Sequence, residues 1–362
     1  LSRRLQSAFA EEENMVMSPL AARMLLSSIY PAATGATRLE MESRLGLRKL
    51  DPMLVYRVLA TERNLRLASR VFVNHGVWLK PIYRKHQFEE VDFARAALAA
   101  EVINEWSAEQ TSGQIRHAID ADEIHEELQM ILLNAVHFKA PWRVPFLERR
   151  TRKQLFRTAS GRTVRADVMV QHPADMRYTE SAELRAQIVE IPYASHFDMW
   201  ILLPWLGQEL EELVRKLTAQ HLLEINRNLT MTKISLELPK FSIDSEVDAK
   251  RVIAEMGAPS LFTRSDLDIA MAGPRFTVGE MRQRVRLEIT EEGSELGIIS
   301  WMGVLQRIGV DFPNFHADRP FVFLILSKAL IPIFLGHLAQ PPGDVIQCTV
   351  FHSNHFDYYD DC

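Results

Sequence analysis

Four residues near the C-terminal end have side chains that could hold a metal ion. Cys348, His352, His355 and Asp357 offer the thiolate, imidazole and carboxylate groups that bind zinc in proteins. Their irregular spacing instead favours an incidental, solvated cluster. The usual local motifs of catalysis do not occur, although a serine-histidine-aspartate site built from distant residues would leave no such motif. The spacing of the cluster therefore predicts no bound metal, and we also predict no cofactor and no enzymatic activity.

The two cysteines of the chain, Cys348 and Cys362, both lie close to its C-terminal end. Paired, they would close a small loop in an oxidising compartment, and unpaired they would be exposed thiols. We favour the disulfide. Asn228 begins the glycosylation acceptor Asn-Leu-Thr, which fits the same extracellular setting. Tyr358 and Tyr359 stand among aspartates and could be sulfated, but an acidic run is more often a solvated end.

Composition limits the partners of the chain. Hydrophobic residues make up 47% of the 362 residues and charged residues 25%, which predicts a packed core. A net charge of -5 gives no basic field for nucleic acid or for anionic membranes, and no apolar run is long enough to cross a bilayer. The stretch "LSRRLQSAFAEEEN" lacks an apolar signal core. We expect a secreted monomer whose signal peptide has been removed, with a cytosolic chain as the alternative.

Helix signals dominate the first third of the chain. Ser18 can cap the free amides of a helix that begins at Pro19. Thr37 and Glu40 have the spacing of a capping box, which predicts that a short second helix begins there. Residues 94–106 form an amphipathic pattern that predicts a third helix.

Strand patterns fill the rest. Alternating or continuous apolar runs predict strands over residues 65–73, 130–138, 187–191, 199–203, 233–238, 285–289, 321–326 and 331–335. Strands and helices do not alternate regularly, so we predict an α+β fold and a single domain. Trp106 and Trp142 are predicted to pack in the core or at a sheet end rather than to stack on a ligand.

Several segments resemble the serpin family and occur in the order of that family: "NMVMSPL", "GATRLEMESRLGL", "VINEWSAEQTSGQI", "ILLNAVHFKAPWRVPF", "AQIVEIPY", "MWILLP", "LELPKFSIDSEVD", "ITEEGSE" and "FHADRPFVFLIL" followed by "IPIFLGHLAQP". The resemblance covers residues 5–341. It implies a metastable serpin domain over residues 1–341 with three β-sheets, eight to nine helices and an exposed reactive centre loop at about residues 293–315. Residues 342–362 would form a tail.

In inhibitory serpins a protease cuts this loop, which then inserts as a central strand of the large sheet and carries the acyl-enzyme with it. The resemblance assigns the hinge of the loop to Gly293, Ser294, Glu295, Leu296, Gly297, Ile298 and Ile299. Leu296 and Ile298 stand where the family uses mostly alanine. Forcing extra methylenes into a closed sheet costs about 1–3 kcal/mol, which would slow insertion.

The family spacing places the scissile bond between Arg307 and Ile308, which suits a trypsin-like serine protease, unless Arg307 is an ordinary surface arginine. Where the large sheet opens, the resemblance points to Ser18, Asn134 and Gln283, and Gln283 replaces the histidine of the family. The chain is also short between residues 47 and 65, so activation by a glycosaminoglycan is not expected. The favoured hypothesis is a non-inhibitory protease substrate or binding scaffold, and the alternative is a suicide-substrate inhibitor with Arg307 as bait.

Overall fold

The computed structural model describes residues 13–49, 65–83, 87–263, 266–271, 276–292 and 312–346. In this part of the chain there are seven α-helices: α1 (Pro19–Ile29), α2 (Gly35–Ser43), α3 (Ala96–Gln110), α4 (Leu210–Lys216), α5 (Ala219–Asn228), α6 (Ala249–Glu255) and α7 (Ser260–Thr263). Single 3-10 turns occur at Tyr30–Ala32, Leu47–Lys49, Pro81–Tyr83, Ala121–Glu123 and Glu148–Arg150. Among the described helices, none is long and apolar enough to span a membrane.

Eight of the fifteen described strands follow the apolar patterns of the sequence. The fifteen are β1 (Met15–Met17), β2 (Leu65–Asn74), β3 (Phe88–Val91), β4 (Met130–Phe138), β5 (Arg152–Arg157), β6 (Thr163–Ser181), β7 (Ala186–Pro192), β8 (Phe197–Pro204), β9 (Thr230–Pro239), β10 (Phe241–Asp248), β11 (Glu280–Ile289), β12 (Asn314–His316), β13 (Phe321–Ser327), β14 (Pro332–Leu338) and β15 (Gly343–Val345). Every predicted strand overlaps one of these.

A five-stranded sheet in the order β10-β11-β4-β2-β3 forms the first layer. Its central pair, β4 and β11, is parallel and bonded directly, from Ile131 opposite Glu280 to Phe138 opposite Leu287. Apolar residues of β4 join the core clusters on both faces, and one of these clusters includes α3. Because β4 pairs directly with β11, the position of an inserted central strand is closed.

The second layer is a ten-stranded sheet that contains the remaining strands. Its longest member, β6, has 19 residues and pairs with β5 and β15 in its first half and with β7 in its second. The α+β class is confirmed. The described residues form two hydrogen-bonded sheets rather than the three expected, because β6 runs through what would otherwise be two sheets, and they form seven α-helices rather than eight to nine.

The first two helices test the capping signals. The Ser18 side chain accepts a hydrogen bond from the Ala21 N–H at 3.2 Å, so α1 begins where the sequence predicts. The prediction of a capping box at Thr37 and Glu40 is wrong, because α2 begins at Gly35 and Thr37 is a buried residue within the helix. The Glu40 carboxylate instead accepts hydrogen bonds from the N–H and the hydroxyl of Ser260 at 3.0 and 2.6 Å.

The end of the described chain continues the ten-stranded sheet. In β15, Gly343 lies opposite Ala166 and Val345 lies opposite Val164 on β6. The Ile346 N–H then bonds to the Thr163 carbonyl at 3.0 Å. The first residues of the segment that we assign to a tail therefore add a short strand to the domain.

Candidate functional site at the central seam and the base of the loop

A row of polar side chains crosses the seam between β4 and β11. The parallel register of β11 and β4 places Gln283 opposite Asn134, and the antiparallel register of β2 and β4 places Asn134 opposite Ser69. Gln283 and Asn134 are 1% and 0% exposed, with apolar residues above and below them on the same strands. Buried polar groups need partners, so each bond in this row bears on the stability of the sheet.

Gln283 links the five-stranded sheet to the start of α1. Its Oε1 accepts a hydrogen bond from the Ser18 N–H at 2.6 Å, and its Nε2 donates to the Ser18 carbonyl at 3.0 Å. The Ser18 hydroxyl donates to the Ile333 carbonyl of β14 at 2.7 Å. The missing family histidine therefore does not leave Ser18 without a partner, because the carboxamide of Gln283 bonds to both of its backbone groups.

Asn134 is less well satisfied. Its Nδ2 donates to the Ser69 hydroxyl at 2.6 Å. Its Oδ1 is buried and has no hydrogen-bond partner within the described part of the chain. An unsatisfied buried acceptor costs about 1–3 kcal/mol, so the closed sheet carries this cost at its centre.

Above the polar row the seam is filled with apolar side chains. Val136 lies opposite Val285 and Phe138 opposite Leu287, and all four are at most 1% exposed. The Phe138 ring is 5.1 Å from the ring of Tyr193, in an edge-on arrangement. A strand that entered here would have to separate these pairs.

The strand β11 ends at the base of the loop, where Thr290 is held by Trp142. The indole Nε1–H of Trp142 donates to the Thr290 carbonyl at 2.8 Å. Trp142 is 2% exposed and stacks on Tyr193 with ring centroids 4.3 Å apart. The predicted packing role of Trp142 is confirmed, and the same residue also anchors the end of β11.

Glu291 is held from three sides. Its carbonyl accepts the Phe146 N–H at 3.2 Å, its Oε1 accepts the Thr151 hydroxyl at 2.6 Å, and its Oε2 lies 2.8 Å from the Lys240 Nζ. Burial alone would raise the pKa of Glu291, but the hydrogen bonds from Lys240 and Thr151 outweigh it and hold the pKa below its ordinary value. The carboxylate is therefore charged at neutral pH and fixes the chain two residues before Gly293.

The other end of the loop is anchored in the ten-stranded sheet. His316 of β12 lies opposite Glu237 of β9, and its Nε2 is 3.3 Å from the Glu237 Oε2. The Glu237 Oε1 accepts a hydrogen bond from the Arg152 Nη2 at 2.7 Å. Glu237 is only 8% exposed, and its buried carboxylate is stabilised by the guanidinium of Arg152.

The structure brings some of the predicted site residues together and does not describe others. Ser18 and Gln283 are bonded, and Asn134 lies opposite Gln283. Asn228 is exposed at the last residue of α5, and Leu229 after it is buried. The remaining predicted site residues lie outside the described part of the chain: Gly293, Ser294, Glu295, Leu296, Gly297, Ile298, Ile299, Arg307, Ile308, Cys348 and Cys362.

Sequence reasoning missed the residues that hold the base of the loop. Glu291, Lys240 and Thr151 are far apart along the chain and carry no local motif. Their only signal is that Glu291 and Lys240 lie within segments that resemble the family. Contacts of this kind depend on the tertiary fold and become visible only in the structure.

Glu183, His221 and Glu224 form a group of potential metal ligands whose ligand atoms lie within 4.8 Å of one another. The His221 Nδ1 accepts the Thr218 N–H at 3.2 Å, so the ring proton is on Nε2, which lies 3.1 Å from a Glu183 oxygen. A metal ion at Nε2 would require the tautomer with the proton on Nδ1, which could not accept the Thr218 N–H. The arrangement fits a hydrogen-bonded helix cap better than a metal site.

Comparison with known proteins agrees with this geometry. A family model described as Serpin (serine protease inhibitor) matches residues 1–341. Serine protease inhibitor 42Dd of Drosophila melanogaster is 31% identical, with 91% of this chain and 92% of the relative covered. Intracellular coagulation inhibitor 2 of Tachypleus tridentatus is 28% identical, with 91% and 86% covered. The crystal structure of Serpin48 from Tenebrio molitor is 27% identical, covers 94% of this chain and 95% of its own, and superimposes with a TM-score of 0.81.

Proposed function

Because the chain belongs to the serpin family, we propose that it is a serpin whose reactive loop is cut after Arg307 by trypsin-like proteases without trapping them. Arg307 would enter the protease pocket that selects basic side chains. Cleavage would release a protein with a cut loop and an active protease. In this role the chain serves as a protease substrate or a binding scaffold rather than as an inhibitor.

The observation that carries the proposal is the bulk of the hinge against the closed seam. Leu296 and Ile298 would enter the sheet interior between β4 and β11, where Val136 with Val285 and Phe138 with Leu287 are fully packed. Extra methylenes add about 1–3 kcal/mol to such a step. This corresponds to a rate lower by roughly 5- to 150-fold, since about 1.4 kcal/mol is a factor of ten. Hydrolysis of the acyl-enzyme then wins over insertion.

Suicide inhibition is the second candidate, and the bonds of Gln283 favour it. The two hydrogen bonds from Gln283 to Ser18 keep a polar connection where the family has its histidine. The anchor at Glu291 is also formed, so the hinge begins from a fixed point. On this reading the hinge residues slow insertion too little to prevent trapping.

We also propose that the protein is secreted and glycosylated. Asn228 is exposed at the end of α5, as an acceptor must be, and N-linked sugars are added in the secretory pathway. A disulfide between Cys348 and Cys362 would fit the same compartment. The relative from Tachypleus tridentatus bears the name of an intracellular inhibitor, so membership of the family does not decide the compartment.

A denaturing gel separates the two candidates. The full chain is incubated with trypsin-like proteases, and products are identified by mass. We expect a fragment that ends at Arg307 and no covalent band at the summed mass. An SDS-stable complex would contradict the proposal and support inhibition. Failure of every tested protease to cut after Arg307 would contradict both.

A further inference from the structure

A basic surface connects the two anchored ends of the reactive loop. At the first end, Phe146 bonds to the Glu291 carbonyl and Thr151 to its carboxylate, so the chain between them lies directly against the base of the loop. At the second end, Arg152 bonds to Glu237, the residue opposite His316. Residues 146–152 therefore pass from one foot of the loop to the other.

Several side chains on and beside this stretch face solvent. Arg149 is exposed and Arg150 half-buried, and neither has a carboxylate partner within the described residues. Leu147 beside them is 42% exposed, and Val144 just before them is 57% exposed. Glu148 is the acidic side chain between them. Two arginines and two apolar side chains at the foot of the loop thus remain available to a partner.

The positive charge continues along the neighbouring strands. On the solvent face of β5 and β6, Leu155 lies opposite Arg165, and Arg157 lies opposite Thr163, so the two arginines are diagonal neighbours. Both are exposed and make no ion pair with the residues that the structure describes. Lys153 on the same face is paired with Asp167 at 3.1 Å, and Asp344 of β15 lies opposite Arg165. We name Arg149, Arg150, Arg157 and Arg165 the basic surface.

We propose that the basic surface is a docking site for the protease that cuts the loop, and that this protease is acidic around its cleft. The inference rests on the proposed function, since it assumes that the loop is a protease substrate. A protease engaged on a loop with both feet fixed must approach the surface between those feet. Arg149 and Arg150, unpaired among the described residues, lie there, with Arg157 and Arg165 farther along β5 and β6, and such positive charge raises the association rate of an acidic partner and lowers that of a basic one.

The test uses two trypsins that share a preference for arginine but differ in charge. Cleavage after Arg307 is followed for the wild-type full chain and for the Arg149→Glu/Arg150→Glu variant, with anionic and with cationic trypsin. At low salt we expect kcat/KM of the variant to fall about 10-fold with anionic trypsin and to stay equal or rise with cationic trypsin. At roughly 0.5 M salt the difference in kcat/KM between the variant and wild type should vanish, because charges are screened within a few Å.

The matched control is Arg44→Glu/Arg95→Glu, which changes the net charge by the same amount. Arg44 follows α2, and Arg95 lies near the Asn74 end of β2, the opposite end of the sheet from Glu291. Both side chains are exposed. The control should cut at the wild-type rate with both trypsins, and unchanged melting temperatures would show that both variants fold.

Each other outcome has a definite meaning. The docking site would be overturned if the Arg149→Glu/Arg150→Glu variant had the same kcat/KM as wild type with both trypsins. It would also be overturned if the variant lost the same factor in kcat/KM with both. Either result would leave the proposed function intact. A further outcome is that the variant binds heparin-agarose more weakly than wild type while its cleavage rate is unchanged. That result would show that the basic surface binds a polyanion and would overturn the proposal that it binds the protease. Absence of cleavage after Arg307 with either trypsin would overturn the proposed function and the docking site together.

Discussion

Replacing Gln283 by leucine should lower the free energy of unfolding, and the expected loss follows from the hydrogen bonds that the substitution removes. Leucine removes the acceptor of the Ser18 N–H and the donor to the Ser18 carbonyl, at 2.6 and 3.0 Å. The carbonyl keeps a second bond from the Ala22 N–H at 3.2 Å. The N–H is left buried without an acceptor, which costs about 1–3 kcal/mol, so we take about 2 kcal/mol as the expected loss of unfolding free energy.

The loss converts to a shift in melting temperature. Unfolding entropy is about 2.1 cal/mol/K per residue, or roughly 0.8 kcal/mol/K for 362 residues, so about 2 kcal/mol corresponds to a fall of about 3 °C. The assay is thermal unfolding of the uncleaved chain at one fixed scan rate, because the apparent melting temperature of a large protein that unfolds irreversibly depends on the scan rate. Gln283→His, which restores the residue of the family, should remain closer to wild type.

Gln154→Leu is the matched control. Gln154 is half-buried on β5, and its Nε2 is buried without a hydrogen-bond partner among the described residues. Removing that donor should leave the melting temperature unchanged or raise it slightly. The reasoning would be refuted if Gln283→Leu melted within about 1 °C of wild type, or if Gln154→Leu lost as much stability.

Three further predictions concern pH, the hinge and glycosylation. Burial lowers the pKa of His337 to about 4, below its unfolded value of about 6.5, so protons favour the unfolded chain and about 2 kcal/mol of stability should be lost between pH 7.5 and 5. Denaturant unfolding should show this loss in wild type and in a variant of the exposed His75, and a smaller loss in His337→Gln. Leu296→Ala/Ile298→Ala should speed loop insertion about 10-fold or more and produce a covalent protease band. Absence of this band would show that the bulk of the two side chains does not limit insertion. Expressed in a secretory host, the protein should gain mobility on treatment with a glycosidase, and Asn228→Gln should not.

The elements that the sequence predicts best are those whose pattern is continuous and local. The predicted strand over residues 130–138 coincides with β4, because its apolar residues are buried on both faces. The start of α1 follows from Ser18 and Pro19, whose capping role needs no distant partner. In contrast, β6 was not predicted, because Pro173 and its polar neighbours interrupt the pattern where the register shifts between Gln171 and Ala174.

The candidate site divides in the same way. Ser18, Asn134 and Gln283 are identified through the resemblance, but the bonds of Gln283 to Ser18 depend on a contact across 265 residues of sequence. The ion pair of Glu291 with Lys240 likewise depends on the tertiary fold, because Lys240 stands between β9 and β10 while Glu291 follows the end of β11. The failed capping box at Thr37 has the same origin, since Thr37 accepts the Asp266 N–H within the tertiary fold. Local patterns cannot reveal such contacts, because the sequence does not show which segments meet.

The central claim is that the loop is cut without trapping the protease, and residual protease activity tests it most directly. Trypsin is titrated with increasing amounts of the full chain, cleavage after Arg307 is allowed to reach completion, and activity on a small arginine substrate is then measured. We predict that trypsin keeps all of its activity even with a molar excess of fully cut serpin. Loss of activity in proportion to the amount of serpin added would contradict the account and identify the protein as an inhibitor.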